Sequence, residues 1–297
     1  MNYSEAKKII KDCEKSAQNL FAELQDISLY NQEKVLNAFR ENNVTYAHFN
    51  GSTGYGYDDI GREKLNKVYA TVFGCEEALV SPLITNGTHA LTLALFGLLR
   101  PNDVMLSVVG KPYDTLDDVI NGENNGSLKE YGIIYKQTDL DENAMPDLAA
   151  IAKMTAEIKP KLAFIQRSKG YLWRNALSIE EIAEIIDIIK TNSPSTIVVV
   201  DNCYGEFVDK KEPTEVGADV IVGSLIKNPG GGIAPTGGYV AGKREYIEQI
   251  SYRVTAPSLG NEVGSYTPGY RLYFQGLFLA PSVVKNALMG NALAGYV

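Results

Sequence analysis

The chain has 297 residues, 45% of them apolar and 22% charged, with a net charge of −8. That is the composition of a globular protein of about two domains with a large core, and it argues against dominant disorder. The acidic balance argues against nucleic-acid binding, which needs a basic face, and against electrostatic docking on anionic membranes.

Ile9, Ile10, Cys13, Ala17, Leu20, Phe21 and Leu24 follow i, i+3, i+4 spacing and predict helix over residues 4 to about 42. Ser4 is the expected N-cap, a second helix is expected from about Gln32 to Arg40, and Asn42-Asn43 ends it. Residues 49–61 (FNGSTGYGYDDIG) hold four glycines and read as a loop. Helix follows from about Arg62 to Phe73. Short continuous apolar runs near 78–81, 103–109, 132–135, 161–166, 196–200 and 219–223 then alternate with helical patterns at 87–99, 147–155 and 178–191. This alternation predicts an α/β fold with a mainly parallel sheet. Gly237 to Ala241 is one more candidate strand, with helices from about 243 to 252 and from about 270 onward.

The N-terminal residues lack the apolar core of a secretory signal, and the longest apolar candidate, Ala90 to Leu99, is too short to span a bilayer. A cytoplasmic location is the expectation. The apolar C-terminal run through Leu288, Met289 and Val297 predicts a chain cut within a larger protein; the alternative is a terminal helix docked on the core. Two histidines, His48 and His89, are too few for a multi-histidine metal site. Three widely spaced cysteines, Cys13, Cys75 and Cys203, form no CxxC pair, which argues against a disulfide framework or zinc ribbon.

Four positions could carry chemistry. The buried run Ile197 to Val200 ends directly in Asp201, and open α/β sheets bind ligands at the carboxyl ends of their strands. The alternative is an Asp that merely caps a turn. Lys227 lies 26 residues on, where the next apolar strand opens into the loop Asn228-Pro229-Gly230-Gly231-Gly232. Desolvation there would favour the neutral amine that condenses with an aldehyde, with Ser224 near the same ligand; the alternative is an exposed loop lysine. Asn86-Gly87-Thr88 opens an apolar helix, and helix-start N–H groups make a phosphate site or an ordinary cap. Tyr113, after the strand at 103–109, could stack on a flat ring or pack into the core.

Together these supply a phosphate cradle, a stacking aromatic, a carboxylate and an amine, each at the end of an apolar segment. They are the parts a pyridoxal phosphate site needs: the lysine bonds the aldehyde, the aspartate pairs with the pyridinium nitrogen and the cradle takes the phosphate. Gly54-Tyr55-Gly56 and Gly230-Gly231-Gly232 fit neither GxGxxG nor GxxxxGK[ST], so a nucleotide site is a weak reading.

The stretches FNGSTGYGYDDIGR (49–62), GKPYDTL (110–116), QRSKGY (166–171), DNCYGE (201–206) and SLIKNPGGGIAPTGGY (224–239) resemble the methionine gamma-lyase-related family, also called the aluminium resistance protein family. It is a branch of the fold-type I, aspartate-aminotransferase-like pyridoxal phosphate enzymes. The resemblance covers nearly the whole chain. It implies that Lys227 holds the cofactor, Asp201 pairs with the ring nitrogen and Tyr113 stacks on the ring. It also implies that Gly87, Thr88 and Ser224 bind the phosphate. In the wider Cys/Met group a Tyr-x-Arg pair from the neighbouring subunit joins them; Tyr57 matches the tyrosine, Asp59 stands in the arginine place and Arg62 is a candidate substitute. The group's contact to the ring O3′ has no match here, and Arg167 and Ser168 are candidates for it. Family members extend past residue 297 with a small domain that supplies the substrate-carboxylate arginine.

The resulting expectation is a fold-type I large domain at 49–270, after an N-terminal helical segment at 1–48. Residues 271–297 would begin a helix leading to an absent small domain. The expected activity is elimination of a thiol from a sulfur amino acid, with Lys227 as base and Tyr113 as acid, in a homodimer or homotetramer. A degenerate, non-catalytic protein, or transamination, racemisation or aldol cleavage at the same residues, are the alternatives.

Overall fold

The computed structural model describes residues 2–297. The N-terminal helices are α1 (Tyr3–Ser16) and α2 (Gln18–Glu41). Asn2, not Ser4, caps α1: its side chain accepts the Glu5 N–H while the Glu5 side chain returns to the Asn2 N–H. That reciprocal box outcompetes a lone serine two residues on. The chain breaks at Ala17, and α2 then runs unbroken through the point where a separate helix was expected.

Next come α3 (Ile60–Val72), β1 (Glu77–Ser81), α4 (Gly87–Leu98), β2 (Val104–Ser107), α5 (Asp114–Asn121) and β3 (Ile134–Gln137). They are followed by α6 (Leu148–Ile158), β4 (Leu162–Gln166), α7 (Ile179–Asn192), β5 (Ile197–Asp201), β6 (Val220–Ser224), β7 (Gly238–Gly242), α8 (Arg244–Ser251) and α9 (Arg271–Tyr296). Every strand anticipated from the apolar runs is present. The seven strands form one sheet in the order β1-β7-β6-β5-β4-β2-β3. β2 to β6 are parallel, whereas β7 runs antiparallel to both β1 and β6. β4, β5, β6 and β7 are buried along their whole lengths, as strands covered on both faces must be. One apolar layer, with Val68, Ile165, Val200 and Ile221, lies on one face of the sheet; the other, with Leu91, Leu95, Val199 and Val222, lies under α4 and α8.

α9 is longer than any apolar run suggests, and by length and composition alone it could cross a membrane. Its first half instead buries Tyr273, Phe274, Leu277, Ala280 and Val284 in the core layer that includes Val35 and Ala38 of α2. The Ser28 hydroxyl donates to the Pro281 carbonyl at 3.1 Å, and the Gln32 amide to the Phe278 carbonyl at 3.0 Å.

The topology fixes the site. The carboxyl ends of β4, β5 and β6 lie side by side, with Gln166 opposite Asp201 and Asp201 opposite Val222.

Candidate active site

A cavity of about 350 Å³ opens at these strand ends. Asp201 closes β5 and is only 2% exposed. Its Oδ1 accepts the Cys203 N–H at 3.1 Å. Burial raises its pKa, although that N–H and the charge of Lys227 oppose the shift. Lys227 follows β6 in the turn after Ser224, and its N–H donates to the Ser224 carbonyl at 3.3 Å. Its Nζ sits 4.2 Å from the centroid of the Tyr204 ring.

The protonation state of Lys227 departs from expectation. Burial does favour the neutral amine, but Cys203, Asp201 and Tyr204 together outweigh it and leave the pKa above the ordinary lysine value. Desolvation alone predicts a neutral amine; the groups that the turn after β5 brings to face it reverse that outcome.

Tyr113 stands at the start of α5 and is half-buried. Its N–H donates to Gln166 Oε1 at 2.9 Å, and its hydroxyl lies 3.1 Å from Thr88 Oγ1. Gln166 therefore ties the Tyr113 segment to the end of β4. Burial, and then Asp201, push the Tyr113 phenol up to about 12. Gly87 opens α4, with Asn86 accepting the His89 N–H at 2.9 Å as its cap. A Cβ on Gly87 would lie 3.2 Å from Cys203 Sγ and 3.4 Å from Ser224 Cβ, so the small residue lets the helix start close against the β5 and β6 ends.

Six of the seven expected site residues, Lys227, Asp201, Tyr113, Gly87, Thr88 and Ser224, thus line one cavity. Tyr57 does not: the residue is 55% exposed and lines a different depression beside Arg62. Asp59, in the arginine place, is a structural cap. Its Oδ1 accepts the Gly61 and Arg62 N–H groups, and its Oδ2 accepts the Ser52 and Tyr270 hydroxyls. Arg62 donates to the carbonyls of Gly264 and Glu262 at 3.0 and 3.2 Å. Ser168 reaches the cavity wall, but Arg167 lies outside it. Arg167 clamps the turn after β5 instead, donating to Asn202 Oδ1 and the Gly205 carbonyl at 2.9 Å each and pairing with Asp209 at 2.5 Å.

Sequence reasoning did not single out Cys203 and Tyr204, which also line the cavity. Their position directly after a strand-end carboxylate was the available signal. It also missed the buried Glu206, whose Oε1 accepts the Tyr239 hydroxyl at 2.8 Å while its Oε2 has no partner among the described residues. Burial first, with Glu212 and Asp201 adding to it, raises Glu206 from 4.5 to about 8. The folded protein therefore holds this proton where the unfolded chain has lost it. Stability is full below about 4.5 and falls as pH rises toward about 8. Glu206→Gln should remove that fall, gaining on the order of a few kcal/mol near pH 8 relative to its effect at pH 4. Denaturant titrations of both proteins across this range check the result; parallel stability curves would contradict it.

The sequence model of the family described as methionine gamma-lyase matches residues 6–297. The uncharacterized protein YnbB of Bacillus subtilis is 48% identical over 289 residues, which are 96% of this chain and 68% of YnbB. A crystal structure of a carbon–sulfur lyase involved in aluminum resistance from Clostridium novyi NT matches with a TM-score of 0.95 and 53% identity, covering 99% of this chain and 70% of that one. L-Methionine gamma-lyase of Pseudomonas putida is 28% identical over 198 residues, 66% of this chain and 45% of that enzyme. The cofactor these relationships imply is pyridoxal 5′-phosphate. The residues present fit it: an amine and a buried carboxylate share the cavity with a helix start that a Cβ would crowd, and with hydroxyls from Thr88, Ser224 and Tyr113.

Proposed function

The chain belongs to the methionine gamma-lyase family, and from that premise we propose that it is a pyridoxal phosphate-dependent carbon–sulfur lyase acting on a sulfur amino acid or a close analogue. The observation that carries this reading is the convergence of Lys227, Asp201, Tyr113 and the Gly87-Thr88 helix start on one cavity. When bound, the cofactor supplies an aldehyde that condenses with amines and a ring that accepts the electron pair left at Cα. Lys227 Nζ would hold the cofactor through its aldehyde, and its amine would serve as the base for the substrate's Cα proton. Asp201 would pair with the ring nitrogen and keep a proton on it. The Gly87 and Thr88 N–H groups, the Thr88 hydroxyl and Ser224 would hold its phosphate, helped by the α4 dipole. The net reaction this reading predicts takes up one water and yields a thiol, ammonia and a 2-oxo acid.

Tyr113 donates the proton to the departing sulfur. Its raised pKa keeps the phenol protonated at neutral pH, as a donor must be. Tyr113→Phe should lower turnover about 10²- to 10⁴-fold while leaving cofactor uptake intact. Full turnover in that variant, measured by thiol release, would refute the role.

A homodimer or homotetramer belongs to the same reading, with the exposed Tyr57 of one copy meeting the phosphate held by another. Arg62 is already bonded to its own chain, which favours Tyr57 acting without it. The deciding experiment supplies methionine or cystathionine with the cofactor and quantifies thiol, ammonia and 2-oxo acid together. Amine exchange or inversion at Cα without thiol release would replace the lyase assignment with transamination or racemisation.

A further inference from the structure

Tyr204 carries a backbone that its side chain does not explain. Its φ is 69°, in the left-handed region that a bulky residue occupies only at a cost. Burial of the ring does not offset that cost, because the residue is 61% exposed. The turn is nonetheless held from several sides. Arg167 grips Asn202 and Gly205, while Glu212 accepts the Phe207 N–H at 3.0 Å and the Asn202 side-chain N–H at 2.9 Å. The effect of this enforced conformation is to set the face of the Tyr204 ring under Lys227 Nζ, at 4.2 Å from the ring centroid. That is well within the range over which an aromatic face attracts an ammonium. The same ring forms part of the wall of a second cavity of about 260 Å³, beside Arg167 and Asp209.

We propose that Tyr204 is a positioning residue for Lys227: the face of its ring seats the free ammonium whenever the lysine is not bonded to the cofactor. The inference rests on the reading of Lys227 as the reactive amine. The groups that face this amine are Asp201 and Cys203 at the end of β5, Tyr204 itself, and Tyr113 at the start of α5. Asp201 supplies charge but sits at the cavity wall. The ring supplies a surface that fixes where the amine waits, and so the direction from which it returns to a bound ligand.

The test is the rate at which the cofactor-stripped full chain takes up an amine-selective reagent, trinitrobenzenesulfonate, at Lys227, read by peptide mass spectrometry between pH 7 and 11. Tyr204→Phe keeps an aromatic face. Tyr204→Asn removes the face but suits a left-handed backbone, so the turn survives. Below the lysine's titration, Tyr204→Asn should label about three- to tenfold faster, and its pH profile should shift down by about half a unit to one unit. Tyr204→Phe should follow the parent protein. Identical profiles for Asn and Tyr overturn the proposal, as does a Phe variant that behaves like Asn, or a rate gain equal at every pH, which reports opened access alone. Absorbance of the parent protein with added pyridoxal phosphate is read separately. Failure to take up the cofactor would sink the lyase reading while the labelling profiles still judge Tyr204.

Discussion

Lys227→Ala should purify folded and without the visible absorption band that the parent protein gains with pyridoxal phosphate, and borohydride should fix no cofactor to it. Thiol release should fall by at least about 10²- to 10⁴-fold, the contribution of a positioned proton-transfer group alone. The geometry makes the loss specific. Lys227 is the lysine on the cavity wall, and its backbone N–H is anchored to Ser224 at the end of a fully buried strand. Truncation leaves that anchor in place and removes only the amine. It also removes the cation facing Asp201, whose carboxyl is already disfavoured by burial, so the pKa of Asp201 should rise further. Free amines added in bulk should restore part of the turnover, because what is missing is a base at Cα. A band of parental intensity that borohydride fixes to another lysine would show that the covalent anchor lies elsewhere.

The strands were readable because burial on both faces writes itself as unbroken apolar runs, such as Ile197 to Val200. The eight-residue α5 was not, because Asp114-Thr115-Leu116-Asp117-Asp118-Val119-Ile120-Asn121 offers only Leu116 and Ile120 as buried positions, too few to establish a period. The reversed direction of β7 was equally silent: strand pairing is decided by contacts far apart in sequence, and Gly238–Gly242 reads the same either way. In the site, Asp201 and Lys227 were legible because one closes an apolar strand and the other lies in the turn just past the next. Gly87 and Thr88 were legible because they open an apolar helix. The upward shift of the Lys227 pKa was not, since it depends on the turn after β5 folding back under the amine. Neither was the commitment of Arg167 to that turn. Its partners Asn202, Gly205 and Asp209 lie 35 to 42 residues away along the chain.

Asp201→Asn should separate catalysis from folding. The substitution preserves shape, and an amide oxygen can still accept the Cys203 N–H that Oδ1 accepts at 3.1 Å. Lys227 should therefore still capture pyridoxal phosphate. Turnover should nevertheless fall by about 10²- to 10³-fold, the usual cost of losing one preorganised electrostatic partner, because a neutral amide cannot hold a proton on the ring nitrogen. Stability should move the other way. Burial raises the pKa of Asp201, so the stability this group contributes is full below the ordinary carboxylate range and is lost as pH climbs through its raised folded value. At neutral pH folding must either bury this charge or take up a proton, so removing the group should leave the cofactor-free variant as stable as the parent protein or more so. Denaturant unfolding at pH 7 alongside a thiol-release assay reads both effects. Loss of activity with loss of stability would make Asp201 a structural residue. Loss of activity with undiminished stability identifies a carboxylate kept at the strand end against the preference of the fold, as a group serving chemistry rather than packing would be.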